Sequence, residues 1–179
     1  MALARLRTTE RRFRESMGCI SCHHQSLPSV AATIAARHDI VASSEFRKQA
    51  TEATLRMWAP SRENLPMGNC SIFGFLGNVS YGLFALSEEG VPPDAVTDAA
   101  DACLTSLQRP DGRWEGGDMR PPLAGKTPFV YTALAIRALK SYMPHWRGEE
   151  REARISRALA YLRSGRPAIR RATHFGYSG

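Results

Sequence analysis

Hydrophobic periodicity along the 179-residue chain predicts six helices and almost no strand. The helices are of two kinds, and the kinds alternate. Segment 28–37 is apolar nearly all round, with Val30, Ile34 and five alanines or prolines around its circumference. Segment 44–58 is amphipathic: Phe46, Ala50, Ala53 and Met57 form one stripe, with Arg47, Lys48, Glu52 and Arg56 off it. Segment 78–89 is apolar again and stops at Gly90, a residue suited to a left-handed C-terminal cap. Segment 94–108 carries a stripe of Val96, Ala99, Ala100, Cys103, Leu104 and Leu107. Segment 127–142 opens on a Thr127 cap with Pro128 at the first helical position, then runs almost wholly apolar. Segment 149–163 returns to the amphipathic kind, with Ile155, Ala158, Leu159 and Leu162 facing inward and Glu150 one turn before Arg154.

A helix that is apolar all round has to be covered on all sides, whereas an amphipathic helix can face water. The alternation therefore predicts an inner and an outer layer. The inner helices begin near Pro28, Asn78 and Pro128, a spacing of 50 residues taken twice. A period of that size marks stacked supersecondary units. The expected fold class is all-α: a partial α/α toroid of about three helical hairpins, inner apolar helices alternating with outer amphipathic ones.

The most specific string follows the fourth predicted helix. Residues 108–114 read Gln-Arg-Pro-Asp-Gly-Arg-Trp. Pro110 pre-sets φ for a turn, Asp111 can accept a bond from nearby backbone, and Gly112 permits the exit. Gln108 can tie down chain ends with its amide, and Trp114 offers a large apolar face. The string resembles the Gln-x-x-Asp-Gly-x-Trp repeat of squalene-hopene and oxidosqualene cyclases and their relatives. Further pieces of the chain resemble terpene-cyclase-like, squalene-cyclase-related bacterial proteins: Val-Pro-Pro-Asp-Ala at 91–95, Arg-Pro-Pro-Leu at 120–123, the helix 131–139, and Gly-Cys-Ile-Ser-Cys-His-His-Gln-Ser-Leu-Pro at 18–28. The resemblance spans most of 18–163 and implies a toroid whose inner helices line an apolar cavity. It divides the chain into a basic segment 1–17, a partial toroid 18–163 and an irregular tail 164–179. The tail lacks the Thr-Thr turn and Leu-Leu-Gly segment that the resemblance implies, and another reading frame can restore them, so a frameshifted tail is the expectation.

Composition narrows the function. Net charge is +7, but five arginines lie in residues 1–14 and four in 163–179, leaving the body near neutral. A nucleic-acid binder carries its basic stripe on a folded face, so no nucleic-acid partner is expected. No segment approaches the ~18 consecutive apolar residues of a membrane span. The arginine-rich start lacks the apolar region of a secretory signal, which reads as cytoplasmic, or as periplasmic for a piece of an exported protein. Half a ring exposes an apolar flank, so the expected partners are an apolar ligand, the missing toroid half, or a second copy through self-association.

Chemistry-bearing residues are few. Cys19-Ile20-Ser21-Cys22-His23 has the spacing of covalent haem c attachment: two thiols reach the two vinyl groups and His23 ligates the iron. His24, His38, Met57 or Met67 could supply the second axial ligand. The same residues also fit a partial zinc site with Cys70 or a His, a reducible Cys-x-x-Cys pair, or plain packing beside the first helix. Four cysteines are too few and too unevenly spaced for a disulfide scaffold. The resemblance to squalene cyclases implies an Asp-x-Asp-Asp acid, which this chain lacks, so a toroid without cyclase activity is expected, with an isoprenoid cyclase or transferase fragment as the alternative. Asp94, Asp98 and Asp101 read as a solvated helix side. Asp101-Ala102-Cys103 echoes the zinc-binding Asp-x-Cys of protein prenyltransferases, but Cys103 sits on the apolar stripe and reads as core. Glu115 and Asp118 flank Gly116-Gly117 in an acidic loop. Gly74, Gly77 and Gly82 read as sites of close helix approach, since their spacing fits no phosphate loop.

Overall fold

The computed structural model describes residues 5, 8–9, 11–12, 25–40, 44–67, 76–116 and 128–165. From residue 25 onward they form six α-helices, and no strand lies among the described residues: α1 (Leu27–Arg37), α2 (Ser44–Trp58), α3 (Leu76–Glu88), α4 (Ala95–Ser106), α5 (Pro128–Tyr142) and α6 (Gly148–Ser164). These match the six segments read from periodicity, with ends shifted by a few residues at most.

The helices sort into two layers. Helix α3 lies between α1 and α5, and each of these three packs against the amphipathic helix that follows it. Helix α2 also touches α4, and α4 touches α5. The core is continuous through both layers, from Trp58, Val79 and Leu83 to Leu104, Trp114, Tyr131, Leu139, Ile155 and Ala158. Burial of this apolar surface, worth roughly 25 cal/mol per Å² removed from water, is what holds the layers together.

The outer stripes mostly sit where expected. On α4, Ala99, Ala100, Cys103 and Leu104 are buried, with Val96 and Leu107 packed at the margin. On α6, Ile155 and Ala158 are buried, with Leu159 and Leu162 beside them. On α2 the buried line is Phe46, Ala50, Thr54 and Trp58, not the expected stripe through Ala53 and Met57. The cause lies on α3. Gly82 has no β-carbon, and the Trp58 indole occupies the space one would fill. This slot draws the last turn of α2 round to Trp58, and Thr54 satisfies its hydroxyl on the Ala50 carbonyl at 3.0 Å. The close approach expected at Gly82 is thus a helix–helix contact.

The helix ends follow local chemistry. Gly90 closes α3 at φ +73°, in the left-handed region. Asp94 caps α4, accepting from the amides of Val96 and Thr97 at 2.9 and 2.8 Å, while the Thr97 hydroxyl accepts from the Asp94 amide at 2.7 Å. The expected Thr127 cap lies outside the described residues.

Candidate functional site

Residues 108–114 form a clamp between the outer helices α4 and α6. The Gln108 amide nitrogen donates to the Gly112 carbonyl at 3.1 Å and to the Arg154 carbonyl of α6 at 3.0 Å. Its oxygen accepts from the Arg154 guanidinium at 3.0 Å. Asp111 accepts from the Arg113 amide at 3.2 Å, closing the turn as read from the sequence. Gly112 has φ +91° and packs so close to the Arg157 carbonyl that a β-carbon would overlap it. Two separate constraints, conformation and approach, therefore select glycine there.

Trp114 is fully buried, and its indole N–H donates to the Leu104 carbonyl near the end of α4 at 2.7 Å. Its backbone amide donates to the Thr132 hydroxyl on α5 at 3.1 Å. One short loop thus joins α4, α5 and α6. Of the neighbouring loop residues, Glu115 is exposed and pairs with Arg113 at 3.1 Å, while Asp118 lies outside the described residues.

Beside the clamp, Asp101 corrects the sequence reading. It lies on α4 but is fully buried, unlike exposed Asp94 and half-buried Asp98. Its carboxylate makes no hydrogen bond among the described residues and faces Arg147 at 3.7 Å. Burial pushes its pKa up to about 7, against the opposing pull of Arg147. Arg147 is itself turned to Glu150, at 2.8 and 3.1 Å. Arg147 and Arg154 hold the Glu150 carboxyl down at about 2, Arg147 having the larger effect. The predicted Glu150–Arg154 pair is present at 2.8 Å. Arg147 reaches Asp101 from the turn before α6, far along the chain, so periodicity within α4 could not foretell this burial.

Cys103 is buried as expected, and it is also disulfide-bonded, which the cysteine spacing did not suggest. The other three cysteines, Cys19, Cys22 and Cys70, lie outside the described residues. A half-cystine has no thiolate for zinc, so Asp101-Ala102-Cys103 is not a ligand pair in this state. Among the described residues, no group of three or more His, Cys, Asp or Glu is placed to hold a metal.

The haem c string Cys19, Cys22 and His23, together with His24, also lies outside the described residues. Of the other axial-ligand candidates, His38 is exposed at the end of α1, Met57 packs against the core from α2, and Met67 is exposed as the last residue of the short 3-10 helix Leu65–Met67.

A second cluster was missed in the sequence. Glu88, at the end of α3, is buried and receives Arg37 of α1 at 2.6 Å and Arg137 of α5 from the other side. Arg37 also donates to the Glu88 carbonyl, and Arg137 stacks over the Phe84 ring at 4.9 Å. The neighbouring Glu89 accepts from Thr33 of α1 and from Arg47 of α2. One buried carboxylate thus ties together the three inner helices. The signal was available in the repeat: Arg37, Glu88 and Arg137 stand about one fifty-residue period apart, the first two ending α1 and α3 and the third in the second half of the longer α5.

Comparison with protein-family models, with curated proteins and with solved structures finds no match. The chain is an all-α protein, and no described helix is long and apolar enough to cross a membrane.

Proposed function

We propose that this chain is a partial α/α toroid of squalene- and terpene-cyclase-like type that binds an apolar ligand or partner and carries no cyclase activity. The observation that carries the reading is the clamp at 108–114. It fastens α4 to α6 while α1, α3 and α5 lie side by side, as inner helices of a toroid would. Three hairpins repeating at fifty residues would fill half a ring. The exposed sides of Ile34 and Val130, 43% and 39% accessible on inner helices, fit an apolar inner face. Cyclisation of an alkene needs a strong, well-supported proton donor. The one deeply buried aspartate described, Asp101, sits on an outer helix against Arg147, away from that face.

The test is binding of a neutral hydrophobic dye, such as Nile red, and its displacement by a long-chain alcohol. Saturable, competed binding supports the reading. Absence of binding by the folded protein removes it.

The disulfide at Cys103 favours a second reading, a covalent haem c at Cys19, Cys22 and His23 serving electron transfer or sensing. Disulfides persist in oxidising compartments, where c-type haem is also attached. Peptide mapping decides: a Cys70–Cys103 bond leaves the haem thiols free, whereas a bond from Cys103 to Cys19 or Cys22 excludes attachment. With the thiols free, covalent Soret absorbance after co-expression with haem-maturation machinery is the expected result, lost in the Cys19→Ala, Cys22→Ala double variant.

A further inference from the structure

The Arg37–Glu88–Arg137 cluster lies on the side of the inner layer that faces away from the outer helices. On α5, Thr132 meets the Trp114 loop, and Arg137 lies round the opposite side with Ala133 and Val130 one and two turns before it. On α3, Gly82 meets Trp58, while Phe84 and Glu88 project from another face. On α1, exposed Ile34 precedes Arg37 by one turn. An apolar strip of Ile34, Phe84, Val130 and Ala133 therefore ends in two arginines, each about half exposed, at 53% and 51%. Exposed Lys140 stands one turn beyond Arg137.

The charge at that end is unbalanced. Arg37 and Arg137 share the single carboxylate of Glu88, and Lys140 adds a third cation, while Glu89 is engaged by Arg47. Each oxygen of the Glu88 carboxylate takes one guanidinium, Arg37 on one and Arg137 on the other. Both, fixed in place and still half open to solvent, leave donors directed outward above the apolar strip. Arginine's planar fork suits an oxyanion head, and its pre-organisation by Glu88 lowers the entropy lost on binding.

We propose that this face binds a single-chain amphiphile with a carboxylate head, the head between Arg37 and Arg137 and the alkyl chain along Ile34, Phe84 and Val130. This rests on the apolar-ligand reading above and specifies its ligand class. Recognition is by charge and apolar contact, with no covalent step.

The experiment compares dodecanoate with dodecanol by titration calorimetry on the full chain, below their aggregation limits. Dodecanoate is expected to bind about tenfold more tightly, an advantage that shrinks with added salt. The variant R37Q/E88Q/R137Q removes both cations and their acid together, so no buried charge is orphaned; it should bind the two ligands alike. R137Q alone, which leaves Arg37 on Glu88, should lose part of the preference. Equal binding of both ligands by the natural chain overturns the head-group assignment and leaves the apolar-ligand reading standing. A preference unchanged in the triple variant also overturns it. Binding of neither ligand overturns the apolar-ligand reading itself.

Discussion

At the scale of single residues, the 108–114 clamp concentrates the largest expected effects. Trp114 is fully buried between layers and donates to the end of α4, so Trp114→Ala should cost ~3–5 kcal/mol from lost packing and cavity formation. Trp114→Phe keeps much of the packing and removes one of two bonds to the Leu104 carbonyl, which still accepts from the Leu107 amide at 3.2 Å, for a loss of about 1 kcal/mol. Urea unfolding of the two variants separates packing from hydrogen bonding; equal losses would show that the indole N–H contributes little. Asp101 predicts a pH effect of definite sign. Its folded pKa of about 7 lies above the usual 3.8, so the folded state holds a proton that the unfolded state releases. Stability from this group is therefore greatest at low pH and falls as pH rises towards and through 7. Glu150 acts in the opposite direction: its lowered pKa contributes stability above about 4.5, lost as pH falls towards 2. The Glu150 gain is complete by about pH 4.5 and the Asp101 decline begins near 3.8, so these two groups together place maximum stability near pH 4. Asp101→Asn should flatten the decline between about pH 4 and 7 in urea titrations, and an unchanged decline would assign it to another group.

At the scale of elements, local chemistry and packing can be told apart. Helix α4 starts at a complete capping box in which Asp94 serves two amides and Thr97 serves the Asp94 amide. Asp94→Ala should lower stability by about 1 kcal/mol, readable as a shift in the urea midpoint at unchanged slope. The six helices and their alternation were legible because each carries its own periodic signal, and the Gly90 and Gly112 stops because they need left-handed backbone. The burial of Asp101 was not legible: its environment is built by Arg147, which belongs to another element. The inward line of α2 was misjudged for a similar reason. Ala53 and Met57 against Thr54 and Trp58 is a choice of neighbouring faces, and the slot at Gly82 on a different helix decides it. The clamp was read nearly whole because its turn chemistry lies within seven residues. Its reach to Arg154 and Thr132 depends on how the layers stack.

At the scale of the molecule, association depends on what the inner layer leaves uncovered. Helix α3 has an inner neighbour on each side, and its residues are buried or half-buried from end to end. Among the described residues, α1 and α5 each lack the second inner neighbour that α3 has, and they carry the exposed Ile34 and Val130. An inner helix of such composition is adequately shielded only in the middle of a row. The terminal positions therefore favour addition of further hairpins, and in a solution of this chain alone the available hairpins belong to a second copy. The interaction need not be strong, since each edge offers only scattered apolar side chains and the terminal arginines repel at low salt. Sedimentation velocity should accordingly show a concentration-dependent shift from monomer towards dimer, more complete at higher ionic strength. A bound long-chain ligand on the inner face would cover part of the same apolar surface and should weaken the shift. A single monomeric boundary across the concentration range, with no binding of a hydrophobic dye, would mean that the row is closed within the chain and would remove both the half-ring and the need for a partner.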